Sequence, residues 1–259
     1  MFASLAPTTT AAPFVHPWAG TGERSLHTAD AAEAATLSAR AKAAKPFTGD
    51  WGFRHSLVEW SRHASPRLLV LTTLVLMAAR WVGAPLGWAD LAVFAVLFAW
   101  EPFNEWIIHA YLLHLKPRTI GPTWLKLGWD LPMARRHRSH HANPWDLSNL
   151  FIPIGAVLFS IAFHSAIFFA ILPTHLAITA LISITIIGII YEWTHYMAHI
   201  PYRPRLSFMR LLQQRHRLHH FKNERFWLGV SSNFGDRVLN TLPDGKEVEA
   251  SPTARLLQR

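Results

Sequence analysis

From Leu150 to Tyr191 the chain reads LFIPIGAVLFSIAFHSAIFFAILPTHLAITALISITIIGIIY, 42 residues without a single Asp, Glu, Lys or Arg. About 20 apolar residues suffice to cross a bilayer, so the stretch is long enough for two membrane helices joined by a tight turn at Pro173-Thr174. A buried soluble hairpin of this length would be expected to show a charged face, and none is present. A second pair precedes it: Leu68 to Val82 is apolar except for Arg80, Gly83 to Gly87 forms a turn, and Trp88 to Trp100 leads on through Ile107. The expected fold is therefore all-α and integral to the membrane, with four transmembrane helices in two hairpins.

Composition agrees. Charged residues make up 16% of the chain against roughly 25% in soluble domains, and hydrophobic residues make up 51%. The formal charge of +9 raises the question of nucleic acid. Its distribution answers it. Seven Lys/Arg lie in residues 1–67, six in 115–149 and eleven after residue 200, while the turns at 83–87 and 173–175 have none. In a four-span chain those three cationic segments share one side, which the positive-inside rule makes the cytoplasm. No nucleic-acid recognition motif accompanies the charge. Cysteine is absent, which excludes thiolate metal sites and thiol catalysis and leaves His, Asp and Glu as metal donors.

The organisation expected along the chain is a disordered tail over residues 1–50, rich in Ala, Thr and Pro; an interfacial helix over 51–66, where Trp51, Phe53, Leu57, Val58 and Trp60 alternate with basic residues; a catalytic membrane domain over 67–243; and a C-terminal tail over 244–259. His16-Pro17 is read as an incidental pair in the tail. His27, His55, His63, His164 and His175 are read as ordinary surface or core residues.

The other ten of the 16 histidines fall into four groups: His109 and His114 (HxxxxH), His137, His140 and His141 (HxxHH), His195 and His199 (HxxxH), and His216, His219 and His220 (HxxHH). All lie at or just past the expected cytoplasmic ends of spans two and four, which gives a histidine-rich helical cap there. Spacings of three and four bring side chains to one helical face, as metal coordination needs, and each HxxHH is expected to present its ligands in one direction. HxxxxH fits a helix less well and calls for a distortion near Pro102 or a helix end before Pro117. The groups also repeat: Glu105-Trp106 precedes His109 and RHRSHH follows at 136–141, while Glu192-Trp193 precedes His195 and RHRLHH follows at 215–220. Two such halves facing each other would form one shared site. Ten histidines exceed what one ion can use, and two ions sharing eight or more nitrogens account for them. Imidazole suits iron, zinc or copper, so spacing leaves the metal open. Paired metals at a membrane interface, with few carboxylates nearby, suit oxygen activation against an apolar C–H bond better than hydrolysis, and no HExxH pattern is present.

The series HxxxxH, HxxHH, HxxxH, HxxHH, with EWTHYMAH at 192–199 and RHRLHHF at 215–221, resembles the fatty acid hydroxylase/sterol desaturase superfamily of integral-membrane oxygenases. The resemblance runs over roughly residues 65–243, including Trp227-Leu228-Gly229-Val230 to Asp236 and Thr241-Leu242-Pro243, and within the superfamily the chain is similar to the fatty acid 2-hydroxylases. It implies that His109, His114, His137, His140, His141, His195, His199, His216, His219 and His220 ligate two iron ions, with zinc as the alternative metal. It also implies O2 as co-substrate and hydroxylation of a lipid, most directly a fatty acyl chain. Sterol or carotenoid hydroxylation or desaturation is the alternative within the superfamily, and a histidine-rich metal transporter the alternative outside it. The tail is expected to be too short for the fused cytochrome b5 domain of many such relatives, so electrons would come from a separate electron-transfer protein. Ala110 stands where a basic residue is expected in them, which bears on the acyl substrate. Glu105 and Glu192, each one turn before a ligand histidine, are the candidates for carboxylates that act on the metal centre through its ligands, with Asn104 and Asp236 behind them. The lipid would enter from the bilayer, its polar head near the cytoplasmic face.

Overall fold

The computed structural model of the protein describes residues 28–120 and 127–257. Its helices are α1 (Thr28–Ala43), α2 (Phe53–Ser61), α3 (Ala64–Trp81), α4 (Trp88–Ile107), α5 (Pro132–Ala142), α6 (Leu147–Leu150), α7 (Ile154–Ile171), α8 (Thr174–His199), α9 (Ser207–Phe221) and α10 (Phe234–Val238), and a π-helical segment, Ile108–Leu113, continues α4. A short antiparallel ribbon pairs Arg118–Ile120 with Leu127–Trp129, Thr119 opposite Gly128. Among the described residues three helical stretches, rather than the expected four, are long and apolar enough to cross a membrane: Trp88–Leu113, Leu147–Ile171 and Thr174–His199.

Proline sets several boundaries. Pro173 separates α7 from α8, Pro132 opens α5 at its first turn, and Ile200 is extended before Pro201, where a helical conformation would clash with the proline ring. The 26 residues of α8 span about 39 Å at 1.5 Å per residue, more than the about 30 Å of a hydrocarbon core. His195 and His199 lie in its last two turns.

Helix α8 is the hub, packed by α3, α4, α7 and α9. Its approach to α3 is close at Gly188, where a Cβ would stand 3.2 Å from Leu69 Cδ2. Small residues at such crossings let membrane helices pack backbone to backbone. The outer faces expose Leu71, Leu74 and Val75 on α3, Leu91 and Val96 on α4, and Leu158, Phe159 and Phe169 on α7. At one end of the bundle Arg80 is buried and donates to Asp90 Oδ1 (2.8 Å from Nη2), Thr179 Oγ1 (3.0 Å) and the carbonyl of Ala84, and Thr179 Oγ1 donates to Asp90 Oδ1 at 2.6 Å. This network joins the α3–α4 turn to the start of α8. The histidine groups all lie at the other end. There Trp60, Leu150, Phe151, Tyr196 and Ile200 form an apolar cluster that seats α2 against α8.

Two segments differ from the expected organisation. Residues 28–43, inside the stretch expected to be a disordered tail, form α1, because Leu37 is buried and Glu33 pairs with Arg138 of α5 at 2.9 Å. Residues 1–27, with His16-Pro17 and His27, lie outside the described residues. Residues 244–257, expected to be a tail, are docked on the site, with Ala254 and Leu257 buried. In the interfacial stretch α2 ends at Ser61 and α3 already begins at Ala64.

Candidate metal centre

The structure brings all ten grouped histidines together, in two sets of five. One set is His109, His114, His137, His141 and His219; the other is His140, His195, His199, His216 and His220. Within each set one donor atom per residue lies within 4.8 Å of all the others. Nine of the ten are fully buried, and His141 and His220 bring the sets side by side with ring centroids 4.0 Å apart.

Local structure delivers each histidine. His109 lies on the π-helical segment and His114 caps its end, where the His114 N–H donates to the His109 carbonyl five residues back at 3.3 Å. An i→i+5 bond brings residue i+5 over residue i, so the HxxxxH pair meets with ring centroids 4.9 Å apart. The π-helix, ending at His114 before Pro117, supplies the distortion that the spacing required. The two HxxHH motifs behave differently from the sequence expectation. Their i,i+4 pairs, His137/His141 and His216/His220, each face one set, while the remaining His140 and His219 cross to the other. Adjacent residues on a helix point about 100° apart, so α5 and α9 each serve both sets. The two sequence repeats thus exchange one histidine.

The donor chemistry tests whether metal fits. His109, His141 and His219 donate their Nδ1 protons to the carbonyls of Leu228 (2.6 Å), Ala254 (2.8 Å) and Phe226 (2.9 Å). A carbonyl can only accept, so each of these neutral rings presents a bare Nε2 lone pair inward. Yet Nε2 of His219 lies 3.2 Å from Nε2 of His141. Two lone pairs at that distance need a cation between them. Two nitrogens on one ion, each about 2.0–2.1 Å from it, stand about 3 Å apart at tetrahedral to right angles. The other Nε2 contacts fall in the same range: His109–His137 3.2 Å, His137–His141 3.1 Å, His140–His195 3.1 Å, His199–His216 3.0 Å and His216–His220 3.0 Å. A proton could bridge some of these pairs, but burial and neighbouring imidazoles hold His137, His140, His216, His219 and His220 well below the ordinary imidazole range, and burial lowers His141 to about 3. Both sets fit a metal ion.

The sets differ in their support. In the second, Nδ1 of His140, His195, His216 and His220 is buried with no hydrogen-bond partner among the described residues. In the first, carbonyls from the last third of the chain fix three rings. Two of those carbonyls belong to a buckle at 226–231. Asp236 accepts from the N–H groups of Leu228 (2.9 Å) and Gly229 (2.7 Å) and from Thr241 Oγ1 (2.6 Å), and Glu105 accepts from the N–H groups of Val230 and Ser231. Trp227, at φ 55°, is held in a left-handed conformation that costs about 1–2 kcal/mol by burial and by its N–H bond to Thr241. Asp236 therefore grips the peptide whose Leu228 carbonyl accepts from His109, while Glu105 holds the next two peptides of the same buckle. Glu192 accepts from Ser65 Oγ at 2.5 Å and from the Ile152 N–H at 3.0 Å, which ties α3 and the start of α7 to α8. Asn104 donates to Glu101 at 3.2 Å. Ala110 is buried against Trp106 and Leu228, a packing that a long basic side chain would displace. His164, midway along α7, donates to the Ser160 carbonyl at 2.7 Å within its own helix.

Two arginines escaped the sequence reading although the repeated RHRxHH contains both. Arg138 donates to the Leu115 carbonyl just past His114 (2.8 Å), and Arg217 to the carbonyls of Ala198 (2.7 Å) and Ile200 (3.0 Å) flanking His199. Each ties the histidine-bearing end of a long helix to the short helix that supplies the remaining histidines.

The family sequence model described as fatty acid hydroxylase matches residues 94–241. The chain is similar to fatty acid 2-hydroxylase of Mus musculus, 28% identical over 59% of this chain and 39% of that protein. It is also similar to fatty acid 2-hydroxylase of Homo sapiens, 29% identical over 58% of this chain and 38% of that protein. With the ceramide very long chain fatty acid hydroxylase SCS7 of Saccharomyces cerevisiae it shares 28% identity over 56% of this chain and 36% of that protein. These matches span less than half of each relative's length. Among solved structures, full-length scs7p, of which only the hydroxylase domain is visible, superposes with a TM-score of 0.58 at 21% identity, covering 74% of this chain and 69% of that one.

Proposed function

This chain belongs to the fatty acid hydroxylase family, and from that premise we propose that it is a membrane-bound oxygenase that hydroxylates a fatty acyl chain at the carbon next to the carboxyl group. The observation that carries the reading is the pair of buried five-imidazole sets at one end of the apolar helices. The names of the similar proteins, fatty acid 2-hydroxylase and ceramide very long chain fatty acid hydroxylase, support the choice of substrate and carbon.

In this reading the five histidines of each set hold one iron ion. When bound, the iron pair supplies the redox chemistry that activates O2, with electrons from a separate transfer protein. The chain's own residues do the rest. The rings fixed by Leu228, Phe226 and Ala254 keep their Nε2 lone pairs inward, and the burial of the ligands keeps water away. Four spans frame the site. The fourth is α3, whose exposed Leu71, Leu74 and Val75 suit lipid contact and whose charged Arg80 is neutralised by Asp90. The cationic segments, and with them the histidines, face the cytoplasm. A lipid entering between the helices keeps its polar head at that face and slides its first carbons to the metals.

The test is expression in a host without 2-hydroxylated lipids, growth under 18O2, and mass spectrometry of the released fatty acids. The reading predicts 2-hydroxy fatty acids carrying one 18O. An oxygen drawn from water, or no hydroxylated lipid from metal-loaded protein supplied with reductant, contradicts it.

A further inference from the structure

Residues 251–257 lie far from the histidine motifs in sequence, yet they close over one side of the site. The Ser251 N–H donates to the Lys222 carbonyl just past α9 (2.7 Å), and Thr253 Oγ1 donates to Glu224 (2.8 Å). Ala254 is buried, and its carbonyl takes the Nδ1 proton of His141. Arg255 donates from Nε to the His141 carbonyl at 3.0 Å and from Nη2 to the Ala142 carbonyl, and its guanidinium lies over the rings of Trp145 (5.6 Å) and Phe221 (5.3 Å). One side chain thus caps the end of α5, bridges α5 to α9, and holds the adjacent carbonyl against a ligand ring. Leu257 is buried beyond it.

We infer that this segment is a strap belonging to the His109/His114/His137/His141/His219 metal site, with the Ala254 carbonyl setting which nitrogen of His141 is free to bind metal and Arg255 as the positioning residue that keeps the carbonyl there. The inference rests on the reading of both sets as metal sites. It is selective, because the described hydrogen bonds of the strap reach a ligand ring of the first set and none of the second. Groups that orient a ligand imidazole commonly change metal affinity about 10- to 100-fold when lost.

The experiment uses the purified full chain in detergent, loaded with iron(II), and follows the metal remaining per chain during exposure to a chelator. Arg255→Ala, and separately a chain ending at Ser251, are expected to release one of two ions at least about tenfold faster while the other keeps the parent rate. Arg255→Lys, which retains charge and one donor, falls between. Adding His199→Ala to Arg255→Ala removes the slow ion, and adding His114→Ala leaves it. Should the shortened chain fail to fold, the point variants carry the test. Unchanged release of both ions, or equal acceleration of both, overturns the strap. A folded parent that binds no iron overturns the metal reading itself and the strap with it, a result distinct from the other two.

Discussion

At Gly229 the backbone passes so close to its neighbours that a Cβ would overlap the Ser232 carbonyl oxygen and stand 2.9 Å from Asp236 Oδ2. Its N–H, with that of Leu228, is what Asp236 grips, so the residue has no room for a side chain and no freedom to move away. Gly229→Ala is expected to push the 226–231 buckle off Asp236 and carry the Leu228 carbonyl from His109. If the two sets bind metal as proposed, the metal content of the first should fall while that of the second stays, as elemental analysis of Gly229→Ala and of Gly229→Ala/His199→Ala would show; full metal content in the single variant would contradict this. Eight of the ten histidines were legible from spacing, because imidazoles at intervals of three and four fall on one helical face, whereas His109 and His114, five apart, were legible only as a fourth group. The carbonyls of Phe226, Leu228 and Ala254 were not, because a backbone acceptor has no signature in sequence. For the same reason Glu105 and Asp236 could be singled out as carboxylates near the histidines, but the peptides that they hold could not.

Among the elements, the apolar stretches and their proline boundaries followed directly from the sequence, and three of the four expected spans are long and apolar enough to cross a membrane among the described residues. What periodicity could not resolve was phase. HxxHH suggests three ligands on one face, but the 100° step between neighbours sends His140 and His219 across to the opposite sets. Nor does HxxxxH reveal a π-helix, since the extra residue is visible only once the i→i+5 bond forms. Helix α1 was hidden by a composition rich in Ala and Thr, and it is held by contacts distant in sequence, chiefly Glu33 with Arg138. Arg138 is buried and serves Glu33, Leu115 and Asp130 together, whereas Arg217 is exposed and serves two carbonyls. Hydrogen bonds to a charged group contribute about 1.5–3 kcal/mol each. Arg138→Ala is therefore expected to lower the thermal midpoint in detergent more than Arg217→Ala; the reverse order would show that the two repeats are not braced as described.

For the whole molecule, the bundle is clamped at both ends. Far from the histidines, Arg80, Asp90 and Thr179 join three helices through a charge pair with side-chain exposures of 5% and 10%. Removing one partner of a buried pair typically costs about 3–5 kcal/mol, because the other charge is left without compensation, while replacing both with apolar residues costs far less. Asp90→Ala should thus destabilise the protein strongly and Arg80→Met/Asp90→Leu only weakly, in equilibrium unfolding in detergent; equal effects would mean that the pair is not buried in the membrane protein as purified. Arg80 interrupts an apolar run in the sequence, and only the fold reveals the Asp90 and Thr179 that neutralise it. At the opposite end the two halves of the chain close around the two five-histidine sets. The most direct test is metal content per chain by elemental analysis in the parent, His219→Ala and His140→Ala, one substitution in each set. Two ions in the parent, with the loss of a different one in each variant, is the predicted result. A folded parent without metal, or variants that keep the parent's content, would contradict it.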